Sequence, residues 1–172
     1  MILENNKTKI FLSPNYHYVF DKTNGYFARW GQIEADDPVW SPFGPEIADI
    51  EISTICSGVN SNVCKYCYKS NSPDGKWMSF DTFRILFNKL PKTITQIAFG
   101  IGDIEANPDI WMIFDYCRSR GVIPNVTVNG EGISNRIAAY LVSHCGAVAV
   151  SVGHQDRYES SRRDATGGPG LV

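Results

Sequence analysis

The chain has 172 residues, 43% of them apolar and 12% aromatic, enough to bury one sizeable core and to set the expectation of a single domain, whose α/β class the order of its elements argues. Its formal charge of −2 comes without a basic stripe interleaved with aromatics, so charge gives no reason to expect a nucleic acid partner. The opening stretch MILENNKTKIFLS contains neither a signal-type apolar region nor a membrane span, and the expectation is a cytoplasmic protein with no membrane partner.

Residues 16–30 read as a β-hairpin, with Tyr16, Tyr18 and Phe20 alternating on one arm, Asn24-Gly25 as the turn and Tyr26 to Trp30 returning. Two roles are open to it: contact with a substrate through its aromatics and Arg29, or closure of an edge or end of a sheet. A breaker-rich loop from Asp36-Asp37-Pro38 to Pro45 leads into an extended apolar run, Ala48 to Ile55, the first strand of an alternating series. Ser79 is an expected N-cap; Phe80, Phe83, Phe87 and Leu90 recur at helical spacing, and Pro91 stops the helix before a second strand, Gln96 to Phe99. Asn107-Pro108 reads as the cap and first turn of a helix with Ile110, Ile113, Phe114 and Cys117 inward, Arg118 and Arg120 in its last turn, and Gly121 at its end. A third strand is expected near Asn125 to Val128. Ser134 then caps a helix with Ile137, Leu141, Val142 and Cys145 inward and Gly146 at its end, and Ala147 to Val152 is the fourth strand.

Four strands separated by three helices argue a parallel, right-handed βα layout. The tail beyond it has no strand pattern: Arg157, Arg162 and Arg163 read as a solvated face, and Gly167-Gly168-Pro169-Gly170 as a flexible end, with truncation the expectation for the tail. The expected organisation is an N-terminal hairpin and linker over 1–45, a βα unit over 46–155 and a Gly-rich tail over 156–172.

Cys56, Cys64 and Cys67 fall within twelve residues, in ISTICSGVNSNVCKYCYKSN, directly after the first strand. Thiolates are soft ligands suited to iron-sulfur clusters, zinc or copper, and three of them leave one metal position open for chemistry. Other readings stand beside this one. Cys64 and Cys67 alone have the spacing of a two-electron redox pair. A structural zinc would need a fourth ligand from His17, Cys117, His144, Cys145 or His154. Five cysteines, an odd number, without a secretory signal argue against a disulfide framework, and Cys117 and Cys145 lie on apolar helix faces as expected core thiols.

The segment resembles the radical S-adenosylmethionine (SAM) enzymes, which place three cysteines, usually spaced CxxxCxxC with an aromatic before the third, in the loop after the first barrel strand. Here the motif reads Cx7CxxC, with Ser57 to Val63 filling the first gap and Tyr66 in the aromatic place. IAFGIGDIEANPD, Ile97 to Asp109, is similar to the family's second-strand Gly-Gly-Glu segment, with Ile101-Gly102-Asp103 at the triplet; VTVNG, Val126 to Gly130, and AVSV, Ala149 to Val152, are similar to the third and fourth strand ends. The resemblance implies a partial (βα) barrel of about four of six units. It implies one 4Fe-4S cluster on Cys56, Cys64 and Cys67, and SAM bound through Gly102, Asp103, Asn129, Ser151 and Tyr66: Asp103 at the ammonium, Ser151 and Asn129 at ribose or carboxylate, Tyr66 by the adenine. The implied activity is reductive cleavage of SAM to a 5′-deoxyadenosyl radical, with an electron from a partner such as flavodoxin or ferredoxin and a peptide, nucleotide or small-molecule substrate. The alternative is a metal-stapled binding or scaffold module, holding zinc or an iron-sulfur cluster without SAM cleavage.

Overall fold

The computed structural model describes residues 1–65 and 67–151. Tyr66, the end of the strand expected to reach Val152, Arg157, Arg162, Arg163 and the Gly-rich tail lie outside the described residues.

Two four-stranded sheets organise the chain. The first is antiparallel, in the order β1 (Ile2–Glu4), β2 (Thr8–Leu12), β3 (His17–Asp21), β4 (Phe27–Trp30). The expected hairpin is β3–β4, with Phe20 paired to Phe27 and His17 to Trp30. Its turn is held by Asp21 and Asn24 side chains, which accept from the N–H groups of Thr23 and Tyr26. The hairpin is not alone, however: β1 and β2 extend it, and the polar run Glu4 to Lys7 at their turn hid them from a search for apolar alternation.

The second sheet is parallel, in the order β5 (Ile47–Glu51), β6 (Gln96–Gly100), β7 (Ile123–Val128), β8 (Ala147–Val150). Helices α1 (Phe80–Phe87), α2 (Ile110–Ser119) and α3 (Asn135–His144) lie between successive strands, as the alternation requires. The strands form an open sheet; a closed barrel is not seen among the described residues. The first strand is shorter than its apolar run, because Ser53 and Ile55 leave the ladder for isolated bridges with Trp77 and Ser72.

Ser79 and Ser134 cap α1 and α3 through their hydroxyls, which accept from Thr82 N and Ile137 N at 3.3 and 3.2 Å. One face of the sheet, with Ile50, Ile97, Phe99, Val126 and Val128, packs on Phe83, Phe87, Ile113, Phe114, Ile137 and Leu141 of the three helices. Strand alternation sends Asp49, Glu51, Ala98, Gly100, Asn125 and Thr127 to the opposite, helix-free face.

Two helix expectations need correction. Val142 is 80% exposed, since it lies about 140° around the helix from Ile137, outside the stripe that Ile137 and Leu141 define. Asn107 does more than cap. Its carbonyl accepts from Asp109 N, while its buried amide donates to Ile52 O and Met78 O at 2.9 and 3.0 Å, and Asp109 is the residue that opens α2. Asn107 thus ties the exit of β5 to the approach of α1.

The antiparallel sheet covers the amino-terminal ends of the parallel strands. Tyr18 Oη donates to Thr93 O at 3.1 Å, the buried Lys9 ammonium donates to Ile94 O at 2.8 Å, and Tyr16 Oη donates to Glu46. Tyr16, Tyr18 and Phe20 form a core with Phe11 and Ile123, so the hairpin aromatics close an end of the sheet. No helix among the described residues is long and apolar enough to cross a membrane.

Candidate metal and cofactor site

The cysteine segment leaves β5 and returns to α1 on paired legs. Thr54 N donates to Lys76 O, Ser72 N to Thr54 O, Cys56 N to Ser72 O and Met78 N to Ile52 O, all between 2.8 and 3.0 Å. Between Cys56 and Cys64 the seven intervening residues fold into a small turn: Val59 and Asn62 exchange backbone bonds of 3.2 and 3.0 Å around Asn60 and Ser61, at φ 51° and 60°. Positive φ at both central residues is the mark of the tight turns that match strand twist. The long first gap is therefore a miniature hairpin standing off the loop.

The incoming limb is fixed to the ends of β6 and β7. Asp103 N donates to Ile55 O at 2.9 Å. Gly102 has to be glycine: a Cβ there would fall 2.1 Å from Ile55 O and 2.6 Å from Cys56 Cβ. Asp103 accepts from Ser57 N through one oxygen at 2.8 Å and from Asn129 Nδ2 through the other at 2.9 Å. The Asn129 amide also lies 3.7 Å from Cys56 Sγ, and Asn129 Oδ1 accepts from Glu131 N. Burial pushes the Cys56 thiol above its ordinary range and the Asp103 carboxylate adds to this, while the Gly58 N–H and the Asn129 amide oppose it.

The outgoing limb carries Cys64, exposed, and Cys67, half-buried. Cys67 N donates to Cys64 O at 3.2 Å, Ser70 N to Cys67 O at 3.0 Å, and Asn71 N to Cys67 Sγ at 3.4 Å. Gly58 N donates to Cys56 Sγ at the same distance, 3.4 Å. Backbone N–H groups aimed at two of the three sulfurs favour their thiolate forms, and three soft sulfur donors fit a soft metal or an iron-sulfur cluster. Among the described residues no three His, Cys, Asp or Glu side chains are gathered closely enough to hold a metal ion.

Cys56, Gly102, Asp103 and Asn129 are thus brought together at the carboxyl ends of β5, β6 and β7. Ser151 sits exposed past β8, its N–H donating to Val128 O at 2.8 Å, and among the described residues no hydrogen bond joins it to that group. Cys117 and Cys145 are buried core thiols, the latter pushed up to about 12 by burial. Sequence reasoning missed Ser57, Asn71 and the pairing of Lys69 with Glu51. The alternation of β5 marked Glu51 as facing away from the core, but the fold alone brings Lys69 to it.

No known protein family's profile matches the chain, and no curated protein matches it. Solved structures do. The Streptococcus suis radical SAM enzyme SuiB, bound to its precursor peptide SuiA, is similar with a TM-score of 0.58 at 13% identity over 87% of this chain and 48% of that one. SuiB bound to S-adenosylmethionine gives 0.55 at 13% identity, covering 92% of this chain and 50% of SuiB. The radical SAM enzyme BtrN, in complex with AdoMet and 2-DOIA, gives 0.51 at 16% identity over 68% of this chain and 51% of BtrN. The chain spans about half the length of these three structures. The likeness is one of fold, and the fold is radical-SAM-like.

Proposed function

We propose that the chain carries the cluster-binding and SAM-binding part of a radical SAM enzyme. The observation that carries this reading is the junction of Cys56, Asp103 and Asn129 at the carboxyl ends of three parallel strands, where α/β folds keep their ligands. Cys56, Cys64 and Cys67 would hold one 4Fe-4S cluster and leave an open iron position for SAM. When bound, cluster and SAM supply reductive cleavage of the sulfonium to methionine and a 5′-deoxyadenosyl radical that takes a hydrogen atom from the substrate.

The chain's own residues position and shield. Gly102 lets Ile55 and Cys56 lie against the end of β6, and Asp103 holds Ser57 and Asn129 in place. Asn129 directs an amide donor at Cys56 Sγ. Gly102, Asp103, Asn129 and Ser151, with Tyr66, are the proposed SAM contacts. Because both Asp103 oxygens already accept, its share in SAM binding would run through the Asn129 amide and the backbone it fixes as well as through direct contact. The electron would come from a one-electron carrier of the flavodoxin or ferredoxin class. Substrates remain peptide, nucleotide or small molecule; the precursor peptide bound by SuiB supports the first and the 2-DOIA bound by BtrN the last. In this reading residues 1–45 form an end-closing unit, 46–155 the partial barrel and 156–172 a tail, in a cytoplasmic protein.

A metal-stapled scaffold without SAM cleavage, holding zinc or an iron-sulfur cluster on the same thiols, is the second reading, favoured by Asp103 already accepting through both of its oxygens. Anaerobic reconstitution with iron and sulfide, followed by a dithionite-driven assay for 5′-deoxyadenosine, separates them. Iron and sulfide near four each per chain with SAM cleavage is the expected result. One zinc per chain and no cleavage would leave the scaffold.

A further inference from the structure

The two limbs of the cysteine loop are anchored unequally. The incoming limb is bonded through Ile55, Ser57 and Cys56 to Asp103 and Asn129. The outgoing limb is tied at its far end by the stem bonds of Ser72, and across residues 64–71 before it every hydrogen bond among the described residues is local except one: Lys69 Nζ reaches Glu51 at 3.3 Å from Oε2 and 3.5 Å from Oε1. Glu51 is the last residue of β5, on the helix-free face, and Gly100 is its direct neighbour in β6. The pair lies on that glycine. A Cβ at 100 would stand 2.6 Å from Glu51 Oε2 and 2.8 Å from Lys69 Nζ, so the missing side chain is what makes room for the pair. The Lys69 side chain is 19% exposed and that of Glu51 37%, so the contact is partly shielded from solvent.

We propose that the Glu51–Lys69 ion pair, seated on Gly100, is the latch that fixes the outgoing limb, and with it Cys67, against the strand ends. Glu51 and Lys69 are positioning residues for the metal that the three thiols take. The inference rests on the metal-holding part of the proposed function, but the latch can be read in the metal-free protein as well.

The test compares the alkylation rate of Cys67 by iodoacetamide, followed by mass spectrometry with the exposed Cys64 as internal reference, in the metal-free parent, Glu51→Gln and Lys69→Met. A latch predicts that both variants speed Cys67 alkylation, by about two- to fivefold for a partly exposed pair, at an unchanged thermal midpoint. A purely electrostatic influence on the thiolate predicts opposite signs, faster in Glu51→Gln and slower in Lys69→Met. Gly100→Ala should act like either single variant, and the double reversal Glu51→Lys with Lys69→Glu should restore the parent rate. In the second arm, cobalt(II) titrated alone should bind both single variants more weakly than the parent. Opposite signs, or rates and cobalt affinity equal to the parent's, overturn the latch while leaving the metal reading intact. A parent that binds neither cobalt nor iron removes the proposed function, and the alkylation comparison then decides the latch unaided.

Discussion

Each oxygen of Asp103 already has a donor, Ser57 N on one side and the Asn129 amide on the other. Asp103→Asn retains one acceptor and turns the other into a donor facing a donor. Unfolding free energy should fall by about 1 to 3 kcal/mol in urea titrations, the cost of a lost bond to a charged group, with SAM affinity by calorimetry falling alongside it. Gly102→Ala should cost at least as much, since its Cβ meets backbone atoms that cannot move aside. The core thiols make a prediction in pH. Burial keeps Cys145 neutral up to about 12, while the same thiol in the unfolded chain ionises from about 8.5. The unfolded state therefore gives up its proton first, and stability should drop as pH rises through that interval. Cys145→Ala should flatten the alkaline limb of a plot of denaturation midpoint against pH. The position of Gly102, Asp103 and Asn129 at neighbouring strand ends was legible through the resemblance of their segments to family strand-end motifs. The Lys69 partnership was not, because an ion pair between a loop and a strand leaves no periodic trace.

Helices and their caps were the most legible elements, because Ser79 and Ser134 precede clean apolar periodicity and both hydroxyls bond as expected. The N-terminal sheet was half-legible: β3 and β4 carry an alternating aromatic arm and an Asn-Gly turn, whereas β1 has only three residues, two of them exposed. Asn107 was misread as a simple cap because its partners, Ile52 O and Met78 O, are far away in sequence. Asn107→Ala strands those two carbonyls, and a loss of about 1 to 3 kcal/mol is expected, with Phe80 and α1 gaining hydrogen exchange before α3 does. The turn at Asn60-Ser61 offers the opposite change. Ser61 holds φ 60° without being glycine, so Ser61→Gly should raise the unfolding free energy read from urea titrations by about 0.5 to 1 kcal/mol and leave metal content untouched.

At the scale of the whole molecule, the parallel sheet with its three intervening helices followed from the alternation of elements, while barrel closure did not appear among the described residues. β8 has all four residues exposed, including Val148 and Val150, and pairs only with β7 among the described strands. An apolar strand whose second side is unpaired among the described residues is a template for pairing with another chain. The 172-residue chain expressed by itself should therefore self-associate, and Val148→Lys should shift light scattering towards monomer.

The paired legs of the cysteine loop bear on how such a chain can vary. With Thr54 joined to Lys76 and Cys56 to Ser72, the two ends of the excursion are held together before any residue between them is counted. Loop-closure entropy grows only logarithmically, by about 0.6 kcal/mol for each doubling of length, so widening the first gap from three residues to seven is nearly free once the base is closed. Cysteine spacing is then a poor signature of kinship for chains of this kind. The stem is the better one: an exit strand whose first residues pair with the run leading into the next helix, and a glycine on the neighbouring strand that lets the first thiol come down against it.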